Sequence, residues 1–382
     1  MKIQYIMISN GIGGAEKRYA NLFNFSSQSS KHEFRLAINE RLLHLLNECS
    51  INLDSKKCFV MKDLLPPLDR SWAGLSYFWN YFAMSPTVNV RFYLSQFNKY
   101  LREVSKPDVI HFVRSASLML PKLKQYKTVV SLFNSSISRR PRRFMKNIFD
   151  ANSFDVLNPL VAKKFELFGL PREKLRIAPC SFIDYSKVPC INQEIKNNSI
   201  VFSGRLIDIK GVNLFLNAAK IVKTRCRPKH KFIIMGDGPQ QSYVTREINK
   251  SNLTNVHYLG FVPAPMTVLS SSKMFCSLQG DSNYPSQSLI EAMACGCAVI
   301  ATDVGDTRLL VDEKVGILIP PDRPDKLADA ICDLLNNPKR CSDLGKIARE
   351  LVLSTMKVEI YMTFLEEIYE KLYKDTNITM TY

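Results

Sequence analysis

The chain has 382 residues, 46% hydrophobic and 23% charged, a balance that excludes a disordered or fibrous protein and suits two hydrophobic cores of roughly 180 residues each. Its formal net charge is +17, and most of it lies in one half: Met1 to Cys190 holds 29 Lys and Arg against 14 Asp and Glu. No apolar run reaches the ~20 residues of a membrane span, and with no zinc-finger spacing, RNP-like motif or basic heptad region the charge does not point to nucleic acid.

The N-terminus, MKIQYIMISNG, reads as a first strand and not as a signal peptide, which predicts a cytoplasmic protein. Strand-like runs near 2–8, 34–38, 57–61, 108–113, 127–133, 154–157 and 176–180 alternate with helical patterns at Ala15–Asn24, Val90–Val104 and Val161–Phe168. Such alternation predicts an α/β fold with a mostly parallel sheet and helices on both faces. A polar, aperiodic stretch at 186–198 is read as a linker between a first domain, 1–185, and a second, 199–356. The second series has strands near 199–203, 231–235, 256–259, 274–278, 298–302 and 316–319, with helices near 211–224, 240–251, 264–272, 286–295, 307–311 and 324–336. The terminal segment 357–382 is helical and long enough to run back over the first domain.

Within the basic half, Arg91 to Lys146 carries 13 basic and 2 acidic residues, among them Arg139, Arg140, Arg142 and Arg143. Such a surface attracts phosphate-bearing partners or an anionic membrane face. Just before it, Ser71 to Val90 has no charge and both tryptophans, with Trp72, Leu75, Trp79 and Phe82 near helical spacing. That stretch reads either as a core helix or as a helix resting on a bilayer or a lipid acceptor. The ten cysteines are scattered through apolar patterns and read as reduced core residues. Cys295 and Cys297 form a C-x-C without a second cluster or a nearby histidine, so no metal site is expected.

Each half carries a glycine-rich turn after a strand. In SNGIGGAEKRYANLF, Gly11, Gly13 and Gly14 precede a helix, but Glu16 occupies the last glycine position of a G-x-G-x-x-G fingerprint, and no G-K-[ST] follows. In FSGRLIDIKGVNLFLNAA, Arg205 and Lys210 flank a strand-to-helix loop. Two cations there either neutralise a pyrophosphate or stand as solvated loop charges. In SNYPSQSLIEAMACG, Ser288 and Glu291 have capping-box spacing, the apolar stripe Leu289, Ile290, Met293 and Ala294 ends at Gly296, and Glu291 reads as a buried carboxylate near a sheet rim.

Taken together, GGAE after the first strand, SGRL-x3-KG, MGDGP at Met235–Pro239, YLGFV at Tyr258–Val262 and SLIEAMACGCAVIATDVGD at Ser288–Asp306 resemble the retaining, family-4 glycosyltransferases of the GT-B fold. The resemblance covers nearly all of the second domain and, in the first, rests on Gly13, Gly14 and DVIH at Asp108–His111. It implies two doubly wound, Rossmann-like domains facing a cleft, with a nucleoside-diphosphate sugar held by the second and a glycan or lipid-linked acceptor by the first. No metal is implied, and no D-x-D is present. Arg205 and Lys210 match the family's diphosphate-binding pair, and Glu291 its ribose-binding glutamate. Gly204 and Gly236 stand in the donor-side turns, and backbone N–H groups near Gly13, Gly14, Ser288 and Leu289 would face the phosphates. Two positions depart from the pattern. Asn283 replaces the glutamate that touches the donor sugar, and Val113 replaces the second histidine of an H-x-H, leaving His111 as either an acceptor-side group or a strand-end residue. A transferase in bacterial surface glycan or glycolipid assembly is expected; a GT-B epimerase and a non-catalytic GT-B partner protein are the alternatives.

Overall fold

The computed structural model describes residues 1–9, 11–64, 86–133, 145, 148–183, 188–191, 196–225, 230–281 and 286–379. Trp72, Trp79, Arg139, Arg140, Arg142, Arg143 and Asn283 lie outside them. The chain divides into two compact units, Met1–Pro179 with Val358–Tyr382, and Cys180–Lys357.

In the first unit, strands β1 (Lys2–Ile8), β2 (Glu33–Asn39), β3 (Cys58–Met61), β4 (Val109–Arg114), β5 (Lys127–Leu132), β6 (Ser153–Val156) and β7 (Leu175–Ile177) form one sheet in the order 3-2-1-4-5-6-7. Every pairing is parallel. A parallel sheet is covered on both faces, so its strands are apolar runs without alternation, as in β1, KIQYIMI, whose five central residues are all buried. The covering helices are α1 (Gly14–Ser29), α2 (Glu40–Glu48), α3 (Pro86–Glu103) and α4 (Pro159–Leu167). Ile6, Phe112, Val130 and Phe154 of the strands pack with Phe97 and Leu101 of α3.

The second unit repeats the plan with β8 (Asn197–Ser203), β9 (Lys231–Met235), β10 (Val256–Tyr258), β11 (Ser272–Ser277), β12 (Ala298–Thr302) and β13 (Gly316–Ile319) in the order 10-9-8-11-12-13, again parallel throughout. Its helices are α5 (Val212–Arg225), α6 (Gln241–Lys250), α7 (Pro265–Ser270), α8 (Gln287–Ala294), α9 (Pro324–Asn336) and α10 (Pro338–Thr355). Phe202, Ile234, Cys276 and Ile300 from the strands meet Phe215 and Ile331 from α5 and α9. Counted from its own first strand, this order is 3-2-1-4-5-6, the doubly wound Rossmann arrangement, and the first unit begins the same way.

The final helix, α11 (Val358–Thr379), packs on the first unit. Tyr361, Leu365, Ile368 and Tyr369 are buried, a spacing that gives one inward stripe, while Lys31 reaches Glu370 at 2.6 Å on its rim.

Two sequence expectations change. Residues 40–48, not predicted as helical, form α2 with Leu42 and Leu46 buried one turn apart, and the helix expected at 307–311 is a single 3-10 turn, Thr307–Leu309. Among the described cysteines all are free thiols; Cys49, Cys180, Cys276, Cys295, Cys297 and Cys341 are buried, whereas Cys190 is exposed.

Candidate functional site

In a doubly wound sheet the chain leaves the two central strands towards opposite sides, which opens a crevice outside their carboxyl ends. In the second unit those strands are β8, which leads through α5 to β9, and β11, which leads through α8 to β12. The residues just after them are Gly204–Gly211 and Leu278–Asp281.

Three of the sequence motifs interlock there. Gly204 N–H donates to the Met235 carbonyl at 3.1 Å, Leu206 N–H to that of Asp237 at 2.8 Å, and Gly236 N–H to that of Gly260 at 2.7 Å. Gly236 has φ 138°, and a Cβ on it would lie 1.8 Å from the Gly204 carbonyl oxygen. Only glycine fits this close approach. The loop then forms a 3-10 turn, Asp208–Lys210, closed by Gly211 in the left-handed region at φ 76°. There a Cβ would stand 2.1 Å from the Leu278 carbonyl oxygen, while Gly280 N–H donates to the Ile209 carbonyl at 2.9 Å. The turn after β8 is thereby docked against the residues after β11.

Arg205 is exposed and Lys210 half-buried on this loop. Lys210 Nζ donates to Gln279 Oε1 at 2.8 Å across the two strand ends. Burial, and then the positive field of Arg205, lower the Lys210 amine to about 8. The ammonium still predominates at neutral pH, but it is held in a setting that rewards an anion. Gln279, 9% exposed, is itself fixed because Thr302 Oγ1 donates to its carbonyl at 2.6 Å. Nothing in the sequence marks Gln279, since its role arises only when β11 lies beside β8.

The helix carrying Glu291 is α8, and its geometry corrects the expected capping box. Its N-cap is Ser286, not Ser288, and the Ser286 side chain makes no cap bond. Instead Leu289 and Ile290 N–H both turn to the Ser286 carbonyl at 3.1 Å, so the Leu289 N–H expected to face a phosphate is spent within the helix. Ser286 Oγ and Ser288 Oγ share a hydrogen bond of 3.2 Å. Glu291 lies in the second turn and is half-buried rather than buried, with Gln287 Nε2 at 3.5 Å from its Oε1. The helix ends as expected at Gly296, whose N–H meets the Met293 carbonyl at 2.8 Å. Buried Lys196 anchors that end, donating to the Cys295 carbonyl at 2.6 Å and to Ser272 at 2.9 Å. Among the described residues no group of three or more His, Cys, Asp or Glu side chains is placed to hold a metal ion.

In the first unit, Gly13 is the N-cap of α1 and Gly14 its first residue. Behind them Ser9 Oγ donates to Glu16 Oε1 at 3.2 Å, and Glu16 is buried. His111 is neither a strand-end nor an acceptor-facing residue: it sits third in β4 with no exposed surface. Its Nδ1 pairs with Tyr369 Oη at 2.6 Å and its Nε2 with Ser131 Oγ at 2.6 Å. Burial pushes the ring down to about 3, so it is neutral although Asp155 Oδ2 is 3.9 Å away. Asp155, pushed up by burial, is held by Tyr19, by Ser131 at 3.0 Å and by Tyr361 at 3.0 Å. His111 thus belongs to a buried polar network under α11. Val113 is buried as well.

The fold and the interlocked loops define an α/β protein of two Rossmann-like units, the arrangement of the GT-B glycosyltransferases. A protein of Anabaena, HepE, solved in complex with UDP-glucose, shares this fold with a TM-score of 0.75 at 17% identity, over 97% of this chain and all of that one. Residues 191–351, nearly all of the second unit, match the family described as Glycosyl transferases group 1. The chain is similar to the poly(ribitol-phosphate) α-N-acetylglucosaminyltransferase of Staphylococcus aureus, 30% identical over 160 residues, 41% of this chain and 32% of that protein. It is also similar to a Campylobacter jejuni α-1,4-N-acetyl-D-galactosaminyltransferase acting on a diphospho-undecaprenol-linked glycan, 25% identical over 90% of this chain and 94% of that protein. The matches to the first three curated relatives span 32%, 52% and 38% of those proteins' lengths. Among the described residues no helix is long and apolar enough to cross a membrane.

Proposed function

We propose that this chain is a retaining glycosyltransferase that moves a sugar from a nucleoside-diphosphate sugar to a glycan or lipid-linked acceptor in bacterial surface polysaccharide or glycolipid assembly. The observation that carries this reading is the pair of cations, Arg205 and Lys210, on a loop docked across the central crevice of the second sheet. A diphosphate leaving there finds positive charge already aimed, at no reorganisation cost during reaction. Glu291 would accept the ribose hydroxyls, Gly204 and Gly236 would give the backbone room against the nucleotide, and Ser288 would lie by the phosphates. Asn283, an amide, would read the donor sugar by hydrogen bonds without charge.

In the reaction proposed, the bond from the anomeric carbon to the phosphate oxygen breaks while the acceptor hydroxyl adds on the same face. A phosphate oxygen takes the acceptor proton, and the nucleoside diphosphate leaves with its charge neutralised by Arg205 and Lys210. These cations supply the charge for which other transferases use a metal, so we propose a metal-independent hexosyl transfer. The similarity to transferases acting on poly(ribitol-phosphate) and on a diphospho-undecaprenol-linked glycan, together with the basic balance of the first half, supports an acceptor at the inner face of the cytoplasmic membrane. Trp72, Trp79 and the Arg139–Arg143 group are the segments proposed to meet that anionic surface, and the backbone N–H groups near Gly13 and Gly14 are proposed to bind phosphate.

A thermal-shift panel of nucleoside diphosphates and nucleotide sugars tests the donor site, since a ligand that binds the native state raises its melting temperature. A shift with one nucleotide class, reduced in Glu291→Ala, is expected. Absence of any shift would sink the reading, and release of a rearranged sugar without an acceptor would make the protein an epimerase.

A further inference from the structure

We propose that Gln279 is a positioning residue for Lys210: it holds the ammonium in place across the crevice and, being a neutral amide, does so without cancelling the charge a diphosphate needs. The inference rests on the reading of Lys210 as a diphosphate ligand.

A lysine ammonium rides on a flexible four-carbon stem whose rotamer freedom is lost when the charge is held in one place. Left free at the rim of the sheet, it would lose part of any anion contact to its own ordering. Here the partner is fixed before any ligand arrives. Gln279 is nearly fully buried, its carbonyl is held by Thr302, and the next residue is tied by Gly280 N–H to Ile209 beside Lys210. Gly211 presses on the Leu278 carbonyl from the other side. Residues 208–211 and 278–280 therefore form one body, and the Lys210–Gln279 bond of 2.8 Å is the side-chain contact within it.

The type of partner decides the chemistry. A carboxylate at position 279 would form a half-buried ion pair with Lys210, and a diphosphate would then have to compete with it. An amide oxygen accepts a hydrogen bond from one ammonium N–H and leaves the net charge and the other donors for the ligand. Arg205 is the charged group whose field opposes protonation of Lys210. Asp208, the acid on the same turn, is engaged by Gln240 Nε2. Against burial and Arg205, the amide keeps the ammonium favourable without neutralising it.

Two variants of the full chain test this, Gln279→Glu and Gln279→Met. The Lys210 amine is titrated in the ligand-free protein by trace acetylation across pH with mass spectrometry, and binding of inorganic pyrophosphate is measured by calorimetry. Gln279→Glu, equal in length, should raise the Lys210 titration by about one pH unit or more and weaken pyrophosphate about tenfold or more. Gln279→Met should lower the titration and reduce kcat about tenfold more than it changes KM, because a misplaced charge stabilises the transition state less. An unchanged Lys210 titration in both variants, or undiminished pyrophosphate binding in Gln279→Glu, overturns the proposal. Failure of the donor reading looks different: pyrophosphate would not bind even the unaltered protein, while the Lys210 titration would still decide whether Gln279 positions it.

Discussion

Both units build a parallel sheet around a central strand, yet they spend their polar side chains differently. In the second unit, Arg205, Lys210 and Gln279 sit on loops beyond the carboxyl ends of β8 and β11, with Arg205 exposed and Lys210 half-buried. In the first, His111, Ser131 and Asp155 lie within β4, β5 and β6 and are sealed beneath Tyr361 and Tyr369 of α11. A polar group beyond a strand end keeps charge available to a ligand. One inside the sheet must be satisfied by the protein, and here it fastens a helix. The comparison teaches that a histidine or carboxylate near a sheet's centre is a site only if its hydrogen bonds are not already spent.

The largest effect that sharpens this contrast is loss of the loop cations. Arg205→Ala or Lys210→Ala should lower turnover by about two to three orders of magnitude, whereas His111→Asn should leave turnover within a few-fold. Equal losses in the two, measured as kcat on folded protein, would erase the distinction between site and fastening.

Next in size is Gly236→Ala, which forces a Cβ onto the Gly204 carbonyl at a φ that side chains rarely adopt. It should cost about 2 to 3 kcal/mol in urea unfolding, and a neutral result would show that the interlocked loops yield easily.

The two titrations then separate the regions by pH. His111 has a folded value of about 3, below that of an unfolded imidazole, so the unfolded chain takes up the proton first. Its contribution to stability is whole above pH 6.5 and is lost as pH falls towards 3, by up to about 1.4 kcal/mol per pH unit. Asp155, raised in the fold, offsets part of that loss. Stability of the unaltered protein should accordingly fall faster between pH 6 and 4 than that of His111→Asn; parallel curves would show that the ring is not the acid-sensitive group. Lys210, lowered to about 8, acts on activity from the other side: kcat/KM should decline above pH 8, about tenfold per pH unit at most. Lys210→Arg, whose guanidinium stays charged, should flatten that limb whatever its level, and a limb that persists belongs to another group.

The smallest expected effect is that of a chelator. If Arg205 and Lys210 supply the charge for the leaving diphosphate, excess EDTA should leave the rate unchanged, and a rate restored only by a divalent cation would replace the two side chains in that role.

The central strands were legible because burial on both faces makes each a predominantly apolar run, and β1, β8 and β12 need nothing distant to be recognised. The loop cations and the turn glycines were legible too, since their meaning lies in their distance from a strand end. Glu291 was read two residues too close to the helix start. Ser286 and Ser288 are both good caps on paper, and only the backbone geometry chooses Ser286. The short helix α2 has Asn39 at its N-cap, a good cap residue by type, but the Asn39 side-chain amide is bonded to Ser9 and Asp63 and makes no cap bond, and the helix's burial comes from the neighbouring sheet.

The sequence by itself determined two α/β series, the positions where backbone must approach backbone, and a pair of cations after a strand, because each depends on periodicity or spacing within a few residues. Tertiary structure alone decided that Lys210 would meet Gln279, 69 residues on, and that His111 would be closed off by Ser131, 20 residues away, and Tyr369, 258 residues away. Those outcomes follow from which strands lie side by side and which helix covers them, and a hydrogen bond between distant residues exists only once the sheet has brought their side chains within about 3 Å.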